Sequence, residues 1–242
     1  MGGLGILMRR RRTFKPDVFQ DMKSHIVAAY NFKGRSNDDA DRDVILPYLG
    51  GGNMVVEFGN YWGAGDEYTR TGYYDEALSC ASNCKGAIIN LPILLQNDFT
   101  IIVKRAFYSA TGLKNNVYTA TIGSTGYDDN TKCPLLIEYQ SATGAFETNV
   151  MGRTYKNRID DGFNIAWVTP EYYNNAPLAV TTSTHSQPFN ILNIGRVRST
   201  LGAFAQRWTM YEIHIFDKTY TPEEIEMYIR RAIDSRYVLP II

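Results

Sequence analysis

Hydrophobic and polar positions in this chain alternate in short runs, the pattern of strands that bury one face and leave the other wet. In the segment Asp98-Phe-Thr-Ile-Ile-Val-Lys-Arg-Ala-Phe107, an extended backbone puts Phe99, Ile101, Val103 and Phe107 on one side. Thr100, Ile102 and Lys104 fall on the other. Similar runs, rich in β-branched and aromatic residues, predict strands over residues 26–32, 54–58, 87–91, 99–107, 117–122, 135–140, 163–168, 178–182, 189–194 and 208–216. Glycine- and asparagine-rich clusters at 50–53, 114–116, 123–126 and 172–175 punctuate them.

A helical period occurs near the C-terminus. Thr221, Pro222 and Glu224 form an N-cap, a first-turn proline and the acidic member of a capping box. Ile225, Tyr228, Ile229, Ala232 and Ile233 then follow at i, i+3, i+4, i+7 and i+8, which makes one apolar stripe, while Glu223, Glu226, Arg230 and Arg231 face water. The expected fold is all-β: two antiparallel sheets in a sandwich with a short C-terminal α-helix laid against it. No internal repeat and no Pro- or Ser-rich linker divides the chain. One domain over residues 25–242 follows a basic N-terminal arm, residues 1–24. Residues 14–22 are expected to add a short helical turn, and the apolar tail 237–242 to dock on the domain or meet another subunit.

Composition narrows the partners. A chain of 242 residues with 44% hydrophobic content, 21% charged content and zero formal charge has no overall pull toward nucleic acid or membrane. At the N-terminus the apolar run precedes Arg9–Arg12, the reverse of a signal peptide, and is too short to span a bilayer. Synthesis in the cytoplasm is the expectation. The arginine cluster reads as a solvated arm, with an acidic neighbouring subunit or nucleic acid as alternatives. Cys80, Cys84 and Cys133 have no second Cys/His pair at zinc spacing and are expected to be reduced.

Motifs for chemistry are sparse. His25, His185 and His214 show no metalloprotease spacing, and neither a G-x-S-x-G elbow nor a phosphate-binding loop is present. No cofactor is expected. Asn37, Asp39, Asp41 and Asp43 alternate as in a calcium loop but lack the glycine and glutamate that close one, so they read as an acidic turn, with calcium the alternative. Sugar C–H faces stack on aromatic rings while amides bind hydroxyls. Tyr61-Trp62, Tyr73-Tyr74 and Tyr172-Tyr173-Asn174 are therefore the candidate glycan contacts, though each cluster also has the makings of a core plug or a protein interface.

Several segments resemble a known family. "FNILNIGR", "WTMYEIHIFDKTYTPEEIEMYI", "IVAAYNFKG", "ADRDVILPYLGGGN" and "NDFTIIVK" are similar, in order over residues 26–235, to laminin-G-like domains of the concanavalin A-like lectin/glucanase superfamily. Tyr220 stands where that family has Leu, and residues 48–52 lack its usual Asp and Ser. The resemblance implies a jelly-roll with a concave sheet of the kind that carries sugar sites. The combination with the helical ending also resembles virion or surface proteins of gut bacteria and their phages, so neighbouring virion or surface subunits join glycans as expected partners.

Glucanases of that superfamily use an E-x-D-x-x-E strand. This chain has Glu212-Ile-His214-Ile-Phe-Asp217. In a regular strand Glu212 and His214 share a face that Asp217 does not. Tyr211, Ile213 and Ile215 are expected inward, with Glu212 and His214 outward. The favoured reading is a non-catalytic binding or structural module without catalytic residues; the alternative is a glycoside hydrolase using Glu212 and Asp217.

Overall fold

A computed structural model describes residues 17–64, 70–80, 86–107, 122–124, 133–140, 146–157, 165–180, 187–195 and 208–239. Residues 117–121 of the strand expected at 117–122, residues 1–16 of the arm, Cys84 and residues 240–242 lie outside the described residues.

Two antiparallel sheets pack face to face. The first runs β15 (Ala176–Pro177), β14 (Tyr172–Tyr173), β13 (Ile165–Val168), β8 (Thr100–Phe107), β18 (Trp208–Phe216), β1 (Ile26–Asn31), β3 (Leu49–Gly50). Beside β1, the edge of β18 also takes β6 (Ala77–Cys80), which in turn pairs with β5 (Gly72–Tyr74). The second sheet runs β16 (Ala179–Val180), β12 (Arg153–Asn157), β11 (Phe146–Val150), β10 (Leu135–Gln140), β9 (Ile122–Ser124), β17 (Phe189–Ile194), β7 (Ala87–Leu95), β4 (Met54–Val56), β2 (Val44–Ile45). The sandwich is the one the alternation predicts, and 135–140, 189–194 and 208–216 have the bounds expected of them.

Alternation assigns each strand two jobs. Phe99, Ile101, Val103, Ile213 and Ile215 enter the core between the sheets, with Tyr30, Trp208 and Met210. Ile102, Trp167 and Phe216 point the other way, into a second apolar cluster beneath α2 (Pro222–Ala232) and α1 (Val18–Ser24). The central strands of the first sheet are thus buried on both faces, so Ile102, expected on the wet face with Thr100 and Lys104, is buried instead.

The α2 cap forms as its residues predict. The Thr221 side chain accepts from Glu224 N–H and the Glu224 carboxylate accepts from Thr221 N–H. Ile225, Tyr228 and Ile229 are buried and Ile233 packs part-buried against the same cluster, whereas Ala232, the fourth member of the stripe, is exposed. α1 extends the expected turn to seven residues. It starts on Asp17, whose carboxylate accepts from Phe19 N–H, and it buries Met22 against α2's cluster. The described start of the tail docks: Trp167 Nε1 donates to the Tyr237 hydroxyl at 3.0 Å and Arg230 Nε to the Tyr237 carbonyl at 2.6 Å. No helix among the described residues is long and apolar enough to cross a membrane.

Some expectations need correction. The pairing of β18 with β8 shifts between Met210 and Glu212, so a bulge at Tyr211 resets the parity. Met210, not Tyr211, enters the core, and Tyr211 is only half-buried. Cys80 is disulfide-bonded, not a reduced thiol; Cys133 is a buried thiol. Residues 172–175, expected only as punctuation between strands, belong to the β14–β15 hairpin, with Asn174 and Asn175 at φ 45° and 78°. Strands β2, β3, β5, β6, β11 and β12 lacked a strong apolar run and went unpredicted. Two glycines are sterically required. At Gly50, φ 79°, a Cβ would run into the Val27 carbonyl, and at Gly195, φ 75°, into the Trp208 indole.

Candidate functional site

Four connections meet at one end of the sandwich. The β11–β12 hairpin turns through Met151 and Gly152, both at positive φ (49° and 79°), and returns with Val150 opposite Arg153. Such a two-residue turn matches the strand twist and puts Arg153 at the first position of β12. The β13–β14 turn is shaped by the Thr169 hydroxyl, which accepts from Glu171 N–H (3.2 Å) and Tyr172 N–H (3.0 Å) and so projects Pro170 and Glu171 at the rim. The link from β7 to β8 supplies Asn97. The link from β18 to α2 supplies Thr219, whose N–H donates to the Asp98 carboxylate.

These connections enclose a cleft of about 290 Å³ lined by Asn97, Met151, Arg153, Pro170, Glu171 and Thr219. The volume stands near the lower end of the roughly 300–1,000 Å³ found for small-ligand sites. Arg153 is half-buried and Glu171 exposed. Among the described residues neither side chain makes an ion pair or hydrogen bond, although both line the same cleft. Buried Pro170 and half-buried Met151 supply apolar wall. The cleft therefore offers a fork of donors, an acceptor-only carboxylate, an amide and a hydroxyl against a small apolar surface.

The sequence-predicted aromatics separate into two places. Trp62 and Tyr73 come together: their rings lie 5.4 Å apart, and Trp62 is 5.0 Å from Phe58. Trp62 Nε1 donates to Asp43 at 2.8 Å and the Tyr73 hydroxyl donates to the Arg42 carbonyl at 2.6 Å. Guanidinium groups cover the rings, Arg42 over Trp62 at 5.0 Å, Arg35 over Tyr73 at 5.4 Å and Arg70 over Tyr74 at 4.6 Å. Burial pushes the Tyr73 hydroxyl up to about 12, partly offset by Arg35. Tyr61 stands exposed beside this stack. The acidic turn is spent on the same structure. Asn37 accepts from Tyr73 N–H (2.7 Å), Asp39 from Ser36 N–H (2.9 Å), Asp41 pairs with Arg35 (3.2 Å) and Asp43 with Trp62. Among the described residues no three His, Cys, Asp or Glu side chains gather at a metal-binding distance.

The second cluster lies across the first sheet, beyond β8 and β13. Tyr172 is half-buried against α2's cluster, and Tyr173 is in the inter-sheet core, 5.6 Å from the Tyr155 ring. Asn174 is fully buried, its Oδ1 accepting from Trp167 N–H at 2.8 Å. What Tyr172 adjoins, through Glu171, is the cleft. Sequence reasoning missed Arg153, Glu171, Asn97 and Thr219. The usable signal was Met151-Gly152, a glycine-bearing two-residue turn.

Glu212 and Asp217 engage different partners. His214, buried, meets the Tyr228 hydroxyl at Nδ1 (2.9 Å) and the Tyr48 hydroxyl and Glu212 carboxylate at Nε2 (both 3.2 Å). Burial and then Glu212 push the Tyr48 hydroxyl up to about 12. Asp217 instead bonds His25 Nδ1 at 2.8 Å, near the Lys218–Asp21 pair at 2.7 Å. His214 thus lies outward of the inter-sheet core, as expected, but α2 covers it.

No protein-family model matches this chain, and no curated protein matches its sequence. Solved structures do resemble it. Trypanosoma rangeli sialidase in complex with sialic acid aligns with a TM-score of 0.57 at 10% identity, over 87% of this chain and 34% of that one. The botulinum neurotoxin serotype D binding domain aligns with a TM-score of 0.55 at 13% identity, over 88% of this chain and 53% of that one. The same domain in complex with N-acetylneuraminic acid aligns with a TM-score of 0.54 at 10% identity, over 89% and 53%. The chain thus spans about a third of the sialidase and about half of the toxin domain, and at these identities the likeness establishes a shared fold, the antiparallel β-sandwich.

Proposed function

We propose that this protein is a non-catalytic, lectin-like sandwich that binds glycans in the end cleft, displayed on a virion or bacterial surface. The observation that carries the reading is Arg153, a guanidinium with no hydrogen-bond or ion-pair partner among the described residues, in a concave site that also presents Glu171, Asn97 and Thr219. Polar groups converging in a cleft against a small apolar wall are what fix a sugar's orientation. The sialic acid and N-acetylneuraminic acid in the complexes of two structural neighbours support a carbohydrate ligand for this fold. So does the resemblance to laminin-G-like domains. Tyr61, the exposed aromatic of the distant stack, is a secondary contact point for an extended glycan.

A non-catalytic role is favoured by the engagement of each acidic candidate. Glu212 holds His214 under α2, and Asp217 holds His25. A glycan array probed with the wild-type chain and with Arg153→Ala tests the site. Binding that survives the substitution places the ligand elsewhere, and no binding by either protein removes the reading. Antibody labelling of intact virions and intact cells tests display.

A further inference from the structure

We infer that the cleft selects a carboxylated sugar, with Arg153 taking the carboxylate and Glu171 the neighbouring hydroxyl or amide donors; this rests on the glycan-binding reading above. A guanidinium has five donors and no acceptor, and its fork matches the two oxygens of a carboxylate. Arg153 is half-buried, held at the first residue of β12 by pairing to Val150 and Val180, and forms no ion pair with any described carboxylate, Glu171 of the same cleft included. A cation withdrawn partly from water and held in no ion pair among the described residues leaves that pairing to the ligand. Elsewhere on the described surface arginines are engaged: Arg35 with Asp41, Arg42 with the Asn37 carbonyl, Arg231 with Asp17, Arg230 with Glu226. Arg153 stands apart from them by position and by having no such partner among the described residues.

Glu171 sets the second half of the preference. An ionised carboxylate only accepts, so it needs donors, which ring hydroxyls or an N-acyl N–H provide. It also repels an anion, which disfavours a ligand charged on several groups and favours a single carboxylate placed on the Arg153 side. Pro170 and Met151 offer the apolar contact for the ring's C–H face, with Asn97 and Thr219 for remaining hydroxyls. A cleft of about 290 Å³ is small, which argues for one acidic residue at a chain end.

The test is calorimetric titration of the intact chain with methyl glucuronide, methyl glucoside, N-acetylneuraminic acid and glucose 6-sulfate. The first pair differ only in the carboxylate. At least one carboxylated sugar is expected to bind about 10- to 100-fold more tightly than methyl glucoside, the worth of one charge-assisted pair. Arg153→Gln, with an unchanged melting temperature, should abolish that ratio. Arg153→Lys, which keeps the charge and loses the fork, should retain only part of it. Glu171→Gln, which removes the repelling charge, should tighten binding of the carboxylated sugars and of glucose 6-sulfate alike. Equal binding of methyl glucoside and both carboxylated sugars overturns the inference while leaving glycan binding intact. Tighter binding of the sulfate overturns the assignment to a carboxylate. Failure of every sugar, on this panel and on the array, overturns both readings.

Discussion

Tyr228→Phe removes one oxygen from the interface between α2 and the first sheet. The ring's contacts with Phe216 at 5.1 Å and Phe19 at 5.6 Å survive, so the perturbation is confined to the bond with His214 Nδ1 at 2.9 Å. His214 is buried and water has no easy route to the vacated position. Its Nε2 keeps Tyr48 and Glu212, but Nδ1 is left without a partner. An unsatisfied buried polar group costs about 1–3 kcal/mol. Because the ring can settle on the tautomer that leaves an acceptor bare, the expected loss is about 1–2 kcal/mol, or roughly 2–4 °C of melting temperature per kcal/mol for a domain of this size. Urea unfolding of Tyr228→Phe, His214→Leu and the double variant gives the coupling directly. The two positions should couple by at least about 0.5 kcal/mol, with glycan binding unchanged, because neither residue lines the cleft. A midpoint within about 0.3 kcal/mol of wild type and no coupling would refute the assignment of the Glu212–His214–Tyr228 set to structure. Lost binding with intact stability would point instead to a chemical role for these groups.

The other expectations are narrower. Thr221→Ala should destabilise the domain by about 1 kcal/mol in urea unfolding, because it removes the acceptor for Glu224 N–H, whereas Thr221→Ser should cost little. Asp21 is held below the usual carboxylate range chiefly by its bond from Lys218, against an opposing effect of burial and with further help from the Tyr220 hydroxyl. A lowered native value means stabilisation that is present above the unfolded-chain value near 3.9 and lost as pH falls through the lower native one. Carboxyl-carbon NMR should show Asp21 titrating higher in Lys218→Met, and the stability difference from wild type should vanish at the acid end. A difference that persists below the native titration would mean the pair is not its source.

Local order decided much of this protein in advance. The capping box at Thr221 and Glu224 needs only residues three apart, and Phe99, Ile101 and Val103 declare their face through the two-residue period of a strand. Such signals are intrinsic to the backbone and survive in any context that lets the segment fold. Even so, short polar strands such as β12, Arg153–Asn157, carry no apolar run to announce them.

Tertiary structure alone decided the rest. The bulge at Tyr211 arises from the mismatch between β18 and β8, two strands far apart in the chain, so no inspection of the 208–216 pattern could show that Met210 would enter the core. Burial of Ile102 and His214 depends on α1 and α2 lying across the first sheet. The cleft is assembled from Asn97, Arg153, Glu171 and Thr219, residues whose separations carry no period. Their meeting follows from strand order, because hairpin ends gather where stacked sheets stop, and it leaves no trace in the neighbourhood of any one of them.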